Sequence, residues 1–562
     1  MQKIPIGISD FKELREGNFF YIDKSLFVKE TIDISAKIIL ITRPRRFGKT
    51  LNLSTLRYYF EKTALSNASL FKGLAILNQG EEYIQKQGRY PVIFLTFKDV
   101  KVRTWNDCYC KLKNLIQEEY LRHKYLIKGN CLEAQEKLYF EAIINLTGSQ
   151  SDYENSLKNL TRYLERYHQQ KVVLLIDEYD TPIQAGYVND YYEDNISFIR
   201  NMLSAALKDN SSIEKGVLTG ILRVAKESIF SGLNNLGVYT IISSEFDDKF
   251  GLTETELQLA LEAYHLVNYL PDMQSWYNGY KFGNTVIYNP WSILNFMDSK
   301  DKKLIPYWVN TADNALIEKL VTKNSTELKE ELLNLLEGKT LEKEIMENIV
   351  YEDVEKIDDV LWSFLLFSGY LKATSQRKIN QDLITLCTLA VPNKEVLYLY
   401  TLFVNRWFAS KIKHQEQELM LKSLVQGDIE TFENIFQEVV LKIFSYHDFG
   451  QESEKVYQAF VIGLLVWLSD THELRSNRES GYGRYDVMLI PKARTKLGII
   501  IEFKKVNTRK QETMEQAIAV AFKQIEDQQY AKELQSLGVT QILKLAIVFA
   551  GKEVRVEELR ES

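Results

Sequence analysis

Lys37-Ile38-Ile39-Leu40-Ile41-Thr42-Arg43-Pro44-Arg45-Arg46-Phe47-Gly48-Lys49-Thr50 opens on an apolar β-branched run and closes on Gly-Lys-Thr. A helical pattern follows through Phe60. Strand, loop, Gly-Lys-Thr and helix is the order of a phosphate-binding loop. The chemistry needs each part. Backbone N–H groups of the loop and of the helix N-terminus point at phosphates. Glycine at position 48 lets the backbone approach without a Cβ. Lys49 is placed to reach the β- and γ-phosphates, and the Thr50 hydroxyl to bind Mg²⁺. On this reading Arg45, Arg46, Phe47, Gly48, Lys49 and Thr50 contact ATP. One departure stands out: Arg43 occupies the position of the motif's first glycine. Gly-Lys-Thr alone would also suit a helix cap with a chance lysine; its place between strand and helix favours the phosphate site.

Outward from the loop, short β-branched runs alternate with longer helical patterns as far as about Asn310. Candidate strands are Lys37–Ile41, Val92–Phe97, Val172–Ile176 and Gly216–Gly220. Such alternation predicts a mostly parallel sheet flanked by helices. The run Val172–Ile176 ends in Asp177-Glu178-Tyr179-Asp180. An Asp at the end of a central strand can hold Mg²⁺ through water, and the following Glu can polarise the attacking water. A solvated strand end is the plain alternative, and it loses weight because a phosphate loop precedes it. After Gly216–Gly220, Thr219 is placed to sense the γ-phosphate and Arg223 to respond to it; an ordinary ion-pairing arginine is the alternative for Arg223.

From about Asp313 to Gln426 the pattern is helical and charged, which predicts a helical middle section. From about Glu430 it becomes helix, two strands, helix, strand. Tyr485-Asp486-Val487-Met488-Leu489-Ile490 and Leu497-Gly498-Ile499-Ile500-Ile501-Glu502-Phe503-Lys504 read as a hairpin. The two-residue period of a strand puts Glu502 and Lys504 on one face, and Asp486 can sit beside them. Two carboxylates a few ångströms apart make an oxygen-rich site for Mg²⁺ or Mn²⁺. A lysine beside them can orient water or stabilise charge on a phosphorus centre. Glu-x-Lys is commonly a solvated salt-bridge pattern, yet an otherwise apolar strand gains nothing by turning both inward unless a site needs them. A helix is predicted over Gln511–Leu534, followed by a last strand, Ile542–Phe549. Lys492, Arg494, Lys496, Lys504, Lys505, Arg509 and Lys510 cluster in this region of the sequence, which predicts phosphate contacts, with a solvated surface as the alternative.

The totals bound these readings. The chain has 562 residues, room for about three domains. A formal net charge of -6 excludes a globally basic nucleic-acid binder. Four cysteines, Cys108, Cys110, Cys131 and Cys387, match no zinc or disulfide framework. The longest strongly apolar run, Phe460–Leu468, is too short to cross a bilayer. A cytoplasmic protein with no membrane partner is the expectation.

Ile4-Pro5-Ile6-Gly7-Ile8-Ser9-Asp10-Phe11, Tyr21-Ile22-Asp23-Lys24-Ser25 and Arg43-Pro44-Arg45-Arg46-Phe47-Gly48-Lys49-Thr50 together resemble the AAA-ATPase-like family of many bacteria and some archaea. Phe230-Ser231-Gly232-Leu233-Asn234-Asn235, Trp276-Tyr277-Asn278-Gly279-Tyr280, Tyr288-Asn289-Pro290-Trp291-Ser292 and Tyr307-Trp308-Val309-Asn310-Thr311 extend the match. The resemblance implies that Arg43 is a family trait. It also implies a PD-(D/E)XK nuclease-superfamily domain at the C-terminus, with Asp486, Glu502 and Lys504 as its signature and Glu454 as a helical acidic position. Gln524 and Tyr530 sit where related nucleases often place auxiliary polar residues, with ordinary helix-surface roles as the alternative for each. The aromatic and asparagine motifs between Trp276 and Asn310 read first as packed turns, with base stacking as the alternative.

The expected architecture is therefore α/β throughout. An ASCE/AAA-like P-loop sheet occupies 1–312, a helical linker 313–428, and a restriction-endonuclease-like α/β domain 429–562. The expected activity is ATP hydrolysis joined to Mg²⁺- or Mn²⁺-dependent cleavage of nucleic acid, DNA before RNA, in a protein able to self-assemble. The alternative is an ATPase switch whose C-terminal domain only binds nucleic acid or a protein.

Overall fold

The structure, a computed structural model, describes residues 2–224, 236–308, 338–349, 351–354, 358–380, 384–400, 414–443, 464–468, 471–476, 479–480, 483–484, 486–506, 512–551 and 553–559, with residues 328, 331–332, 334–335 and 461. The chain forms two compact units. One comprises residues 1–320 and 342–396, the other 321–341 and 397–562.

The first unit is built on five strands: β1 (Ile38–Thr42), β2 (Val92–Thr96), β3 (Val172–Asp177), β4 (Ile213–Gly220) and β5 (Leu236–Tyr239). Their order is β2-β3-β4-β1-β5, and every neighbouring pair is parallel. All residues of β1 and of β3 are buried, as uninterrupted apolar runs require when helices cover both faces of a parallel sheet. Strand β4 separates β1 from β3. Thr42 is paired with Gly220, and Thr96 with Asp177. The C-terminal ends of four strands thus meet at one edge, where ligands bind in open parallel sheets.

Residues 342–396 cluster with this unit. Helix α2 (Asp358–Phe367) lies in this stretch, along with a three-stranded sheet of 341–345, 372–379 and 384–390, where the sequence pattern predicts helix alone. Alternation is weak in Lys372–Ile379, KATSQRKI, whose residues are mostly exposed. It therefore carried little strand signal.

The second unit holds the helices α3 (His414–Gln426) and α4 (Ile429–Ile443). Its sheet is β6 (His472–Ser476), β7 (Val487–Pro491), β8 (Gly498–Lys505), β9 (Ile542–Ala550) and β10 (Glu553–Glu558), in that spatial order. Strands β8 and β9 are parallel and the other pairs antiparallel. Odd-numbered residues Val487, Leu489, Ile499, Ile501 and Phe503 pack with Met420, Leu424, Phe432 and Phe436. Even-numbered Met488, Ile490 and Ile500 face Ile525, Tyr530 and Leu534 on the other side. The period of two thus sandwiches the sheet between helices and assigns Glu502 and Lys504 to the second face.

Two differences from expectation have physical causes. The helix predicted over Gln511–Leu534 is two helices, α5 (Met514–Asp527) and α6 (Ala531–Ser536). Gln529 breaks it by adopting a left-handed backbone, φ 54°. Edge strands β6 and β10 were not foreseen because charged residues interrupt them, as is usual at sheet edges. No described helix is long and apolar enough to cross a membrane.

Candidate nucleotide and metal sites

The Gly48 backbone is left-handed, φ 86°, a region glycine enters without Cβ strain. Helix α1 (Lys49–Phe60) begins at the next residue. Lys49 is buried, and its Nζ donates to the carbonyls of Arg43 and Pro44 at 3.1 and 3.0 Å. Burial lowers its pKa, while Glu178, Asp177 and Asp180 raise it. All three acids are therefore close enough to act on the lysine.

Arg43 explains how the loop turns without its first glycine. Its side chain is fully buried. The guanidinium donates to the carbonyls of Thr42 and Tyr239 through Nη1, at 2.8 and 3.1 Å. Nη2 donates to the carbonyls of Glu245 and Phe246, at 3.2 and 3.1 Å. It also lies 5.3 and 5.2 Å from the Phe250 and Phe282 ring centres. Burial pushes its pKa down to about 9. Segment 239–251 is thereby strapped around the loop. Asn52 Nδ2 bonds the Lys249 carbonyl at 2.8 Å, and the Gly251 N–H bonds the Phe47 carbonyl at 3.1 Å.

Asp177 is the hub of the acidic cluster. Its Oδ2 accepts from Thr50 Oγ1 at 2.7 Å and Thr96 Oγ1 at 3.1 Å, and its Oδ1 from Thr219 Oγ1 at 2.6 Å. Burial, and then the Glu178 charge, push its pKa up. Thr219 was expected to sense a phosphate. Its hydroxyl instead donates to Asp177 and accepts from the Glu178 N–H at 3.3 Å, so it orients both acids. Glu178 has φ 51° and accepts from Thr181 Oγ1 at 3.2 Å. Asp180, not singled out from the sequence, is buried. Its Oδ2 accepts from the Ile221 and Leu222 N–H groups at 2.8 and 3.0 Å. Its Oδ1 has no hydrogen-bond partner among the described residues. Arg223 pairs with Asn348 in a short parallel bridge, and its charge acts on Glu347 and Tyr179.

The remaining loop residues are held by the aromatic motifs. Arg45 Nη2 donates to Gln184 at 2.8 Å, while its carbonyl accepts from Trp308 Nε1 at 3.1 Å. The Arg46 guanidinium lies 4.2 Å from the Trp291 ring centre. Phe47 is buried edge-on to Tyr280, ring centres 4.9 Å apart. The motifs read as packed turns therefore form the backing of the phosphate loop. Nothing in their local spacing signalled this, because their partners lie more than 200 residues away.

In the second unit, Asp486 precedes β7, and its Oδ2 accepts from the Phe503 N–H at 2.8 Å. The carboxylate thus sits against β8 between Glu502 and Lys504. Glu502 is fully buried, and its Oε1 pairs with Lys504 Nζ at 2.9 Å. Its Oε2 is buried with no hydrogen-bond partner of good geometry among the described residues. Burial, followed by the Asp486 charge, pushes its carboxyl well above the usual range; Lys504 and the Asp486 N–H pull it back only partly. An orphaned carboxylate oxygen beside a second carboxylate is the donor set a hard divalent cation takes.

Comparison with known proteins agrees with both halves. Residues 5–230 match the family model described as a predicted AAA-ATPase, and residues 452–559 match that of the PD-(D/E)XK nuclease superfamily. The chain carries an AAA-ATPase-like domain and a C-terminal PD-(D/E)XK nuclease-superfamily domain. An uncharacterized protein in the vnfD 5' region of Azotobacter chroococcum mcd 1 is 28% identical over 324 residues, 57% of this chain. The match spans 56% of that relative's length. A Walker-type ATPase of Pyrococcus abyssi aligns at 12% identity with a TM-score of 0.33, over 71% of this chain and 98% of its own.

Within the nuclease-superfamily domain, the bend at Gln529 turns Tyr530 fully inward, where it feels the charges of Glu502, Asp486 and Lys504. Gln524 Nε2 contacts its hydroxyl at 3.4 Å. The basic patch is a different matter. Lys492, Arg494 and Lys496 lie in the turn joining β7 to β8, the end of the hairpin opposite Asp486 and Glu502. They do not crowd the site, because a strand carries the chain about 3.3 Å per residue away from it. Only Lys504 and Lys505 lie at the site end; Arg509, Lys510 and Glu454 fall outside the described residues. Phe230–Asn235 and Val309–Thr311 likewise fall outside them.

Proposed function

We propose that the chain binds and hydrolyses ATP at Lys49, Thr50, Asp177 and Glu178, and cleaves nucleic-acid phosphodiesters at Asp486, Glu502 and Lys504. The observation that carries the first half is the Thr50–Asp177 hydrogen bond of 2.7 Å beside a buried Lys49. The two oxygens that would share Mg²⁺ already converge. The second half rests on the orphaned Oε2 of Glu502 next to Asp486.

Each residue has a role its environment supports. The loop amides and Lys49 bind phosphate oxygens. Thr219 fixes Asp177 and aims Glu178, whose carboxylate takes a proton from the attacking water. Arg45, Arg46 and Arg223 supply positive charge near the phosphates. In the second site Lys504 steadies the Glu502 carboxylate and orients water. A divalent cation held by Asp486 and Glu502 would supply Lewis acidity and a nucleophile at neutral pH. The division into 1–312, 313–428 and 429–562 as functional parts, a cytoplasmic location and homo-oligomer formation belong to the same proposal.

Incubation of the full chain with DNA and RNA, Mg²⁺ or Mn²⁺, with and without ATP, tests it. Phosphate release and strand cleavage are expected, the latter changed by ATP. Cleavage identical in wild type and Lys49→Ala under every condition would refute coupling. Binding without cleavage, equal in wild type and Asp486→Ala, would refute the nuclease and leave an ATPase switch.

A further inference from the structure

The backing of the phosphate loop converges on one buried carboxylate. Glu395 is fully buried just after the strand Ile384–Ala390. Its Oε1 accepts from the Trp308 backbone N–H at 2.7 Å. Ser292 Oγ donates to the same carboxylate, at 2.9 Å to Oε2 and 3.1 Å to Oε1. Both donors lead to the loop in one further step. The Trp308 indole N–H bonds the Arg45 carbonyl, and the neighbour of Ser292, Trp291, carries the Arg46 guanidinium on its face.

The segment bearing Glu395 is itself fixed. The Pro392 carbonyl sits where a Cβ on Gly279 would lie, at 2.0 Å, and that glycine has φ 103°. Lys372 Nζ also reaches the Pro392 carbonyl, at 3.3 Å. Close approach of the Pro392 backbone explains the glycine at 279.

An apolar residue would fill this position without the cost of burying a carboxyl. Burial pushes the Glu395 pKa up to about 7. What a leucine could not do is bridge two donors that come from segments 103 and 87 residues away in sequence. Glu395 lies in residues 342–396, outside the matched AAA-ATPase model, yet in the same compact unit as the loop.

We propose that Glu395 is a positioning residue of the nucleotide site, which fixes the Arg45 backbone through Trp308 and the Arg46 side chain through Ser292 and Trp291. This rests on the reading of the loop as an ATP site. Its role is that of a hydrogen-bond acceptor. Glutamine serves almost as well, because its carbonyl can accept from Trp308 and its amide can donate to Ser292.

Titration of the full chain with a fluorescent ATP analogue and Mg²⁺ tests it, with melting temperature recorded for every variant. Wild type binds, and Lys49→Ala does not. Glu395→Leu is expected to weaken binding about tenfold, the worth of one buried hydrogen-bonded link. Glu395→Gln recovers most of that loss. Trp308→Phe, which removes the indole hydrogen bond to Arg45 and keeps an aromatic ring, weakens binding by part of that loss, and the double variant Trp308→Phe/Glu395→Leu is no worse than Glu395→Leu alone. A folded Glu395→Leu that binds as wild type overturns the inference, as does full additivity in the double variant. Should Glu395→Leu not fold, wild-type binding by Trp308→Phe overturns it. Absence of binding by wild type would instead remove the ATP reading and this inference with it.

Discussion

Two buried carboxylates show how differently the two units treat charge. Asp177 has both oxygens occupied by neutral donors, the hydroxyls of Thr50, Thr96 and Thr219. Glu502 has one oxygen on Lys504, and its Oε2 lacks a hydrogen-bond partner within normal geometry among the described residues. Both are pushed toward the protonated form by burial and by a neighbouring acid. The lesson is that burial is offset at Asp177 by a full set of neutral donors and at Glu502 by a single cation on one oxygen.

The largest expected effect tests the first cluster. Lys49→Ala should cut phosphate release by about a thousandfold, because charge at the transferring phosphoryl group goes uncompensated. Retained release would break the comparison, since the Asp177 cluster would then serve no phosphate. Next comes Glu502→Gln. Cleavage should fall by about a hundredfold, and the rise in melting temperature that Mn²⁺ gives the wild type should vanish. A thermal shift unchanged by the substitution would mean that the orphaned oxygen holds no metal.

Arg43→Gly restores the glycine of the general motif, yet it should destabilise the chain by about 3 kcal/mol. It strips hydrogen bonds from four backbone carbonyls. Thermal or chemical denaturation reads the loss, and a stabilised variant would refute the brace. Glu395 gives an effect of similar order that depends on pH. Its carboxyl keeps its proton to about pH 7 in the folded chain, well above the usual range of an unfolded glutamate. Between those values the folded state binds more protons, so stability falls as pH rises through that window, by on the order of 3 kcal/mol. Glu395→Gln should flatten this slope. Smallest is Thr96→Val, which removes one of three hydroxyls on Asp177 and should cost about 1 kcal/mol. A much larger loss would show that Asp177 is as poorly supported as Glu502.

The linear order of residues determined the local chemistry. An apolar run, a left-handed glycine position and Lys-Thr at a helix start are short-range features, so the phosphate loop and helix α1 could be read directly. The same holds for the period of two that puts Glu502 and Lys504 on one face of β8. Edge strands β6 and β10, and the bend at Gln529 that turns Tyr530 inward, were not legible, because charged edges and a single left-handed residue leave no periodic trace. Only the tertiary structure decided the rest. Arg43 is a brace because Tyr239, Glu245 and Phe246 return to it across about 200 residues. Thr219 orients Asp177 and Glu178 because β3 and β4 are neighbours. Lys492, Arg494 and Lys496 lie away from Asp486 and Glu502 because the hairpin carries them to its other end. Sequence fixes what a side chain can donate or accept; burial and long-range contact choose which partner it meets.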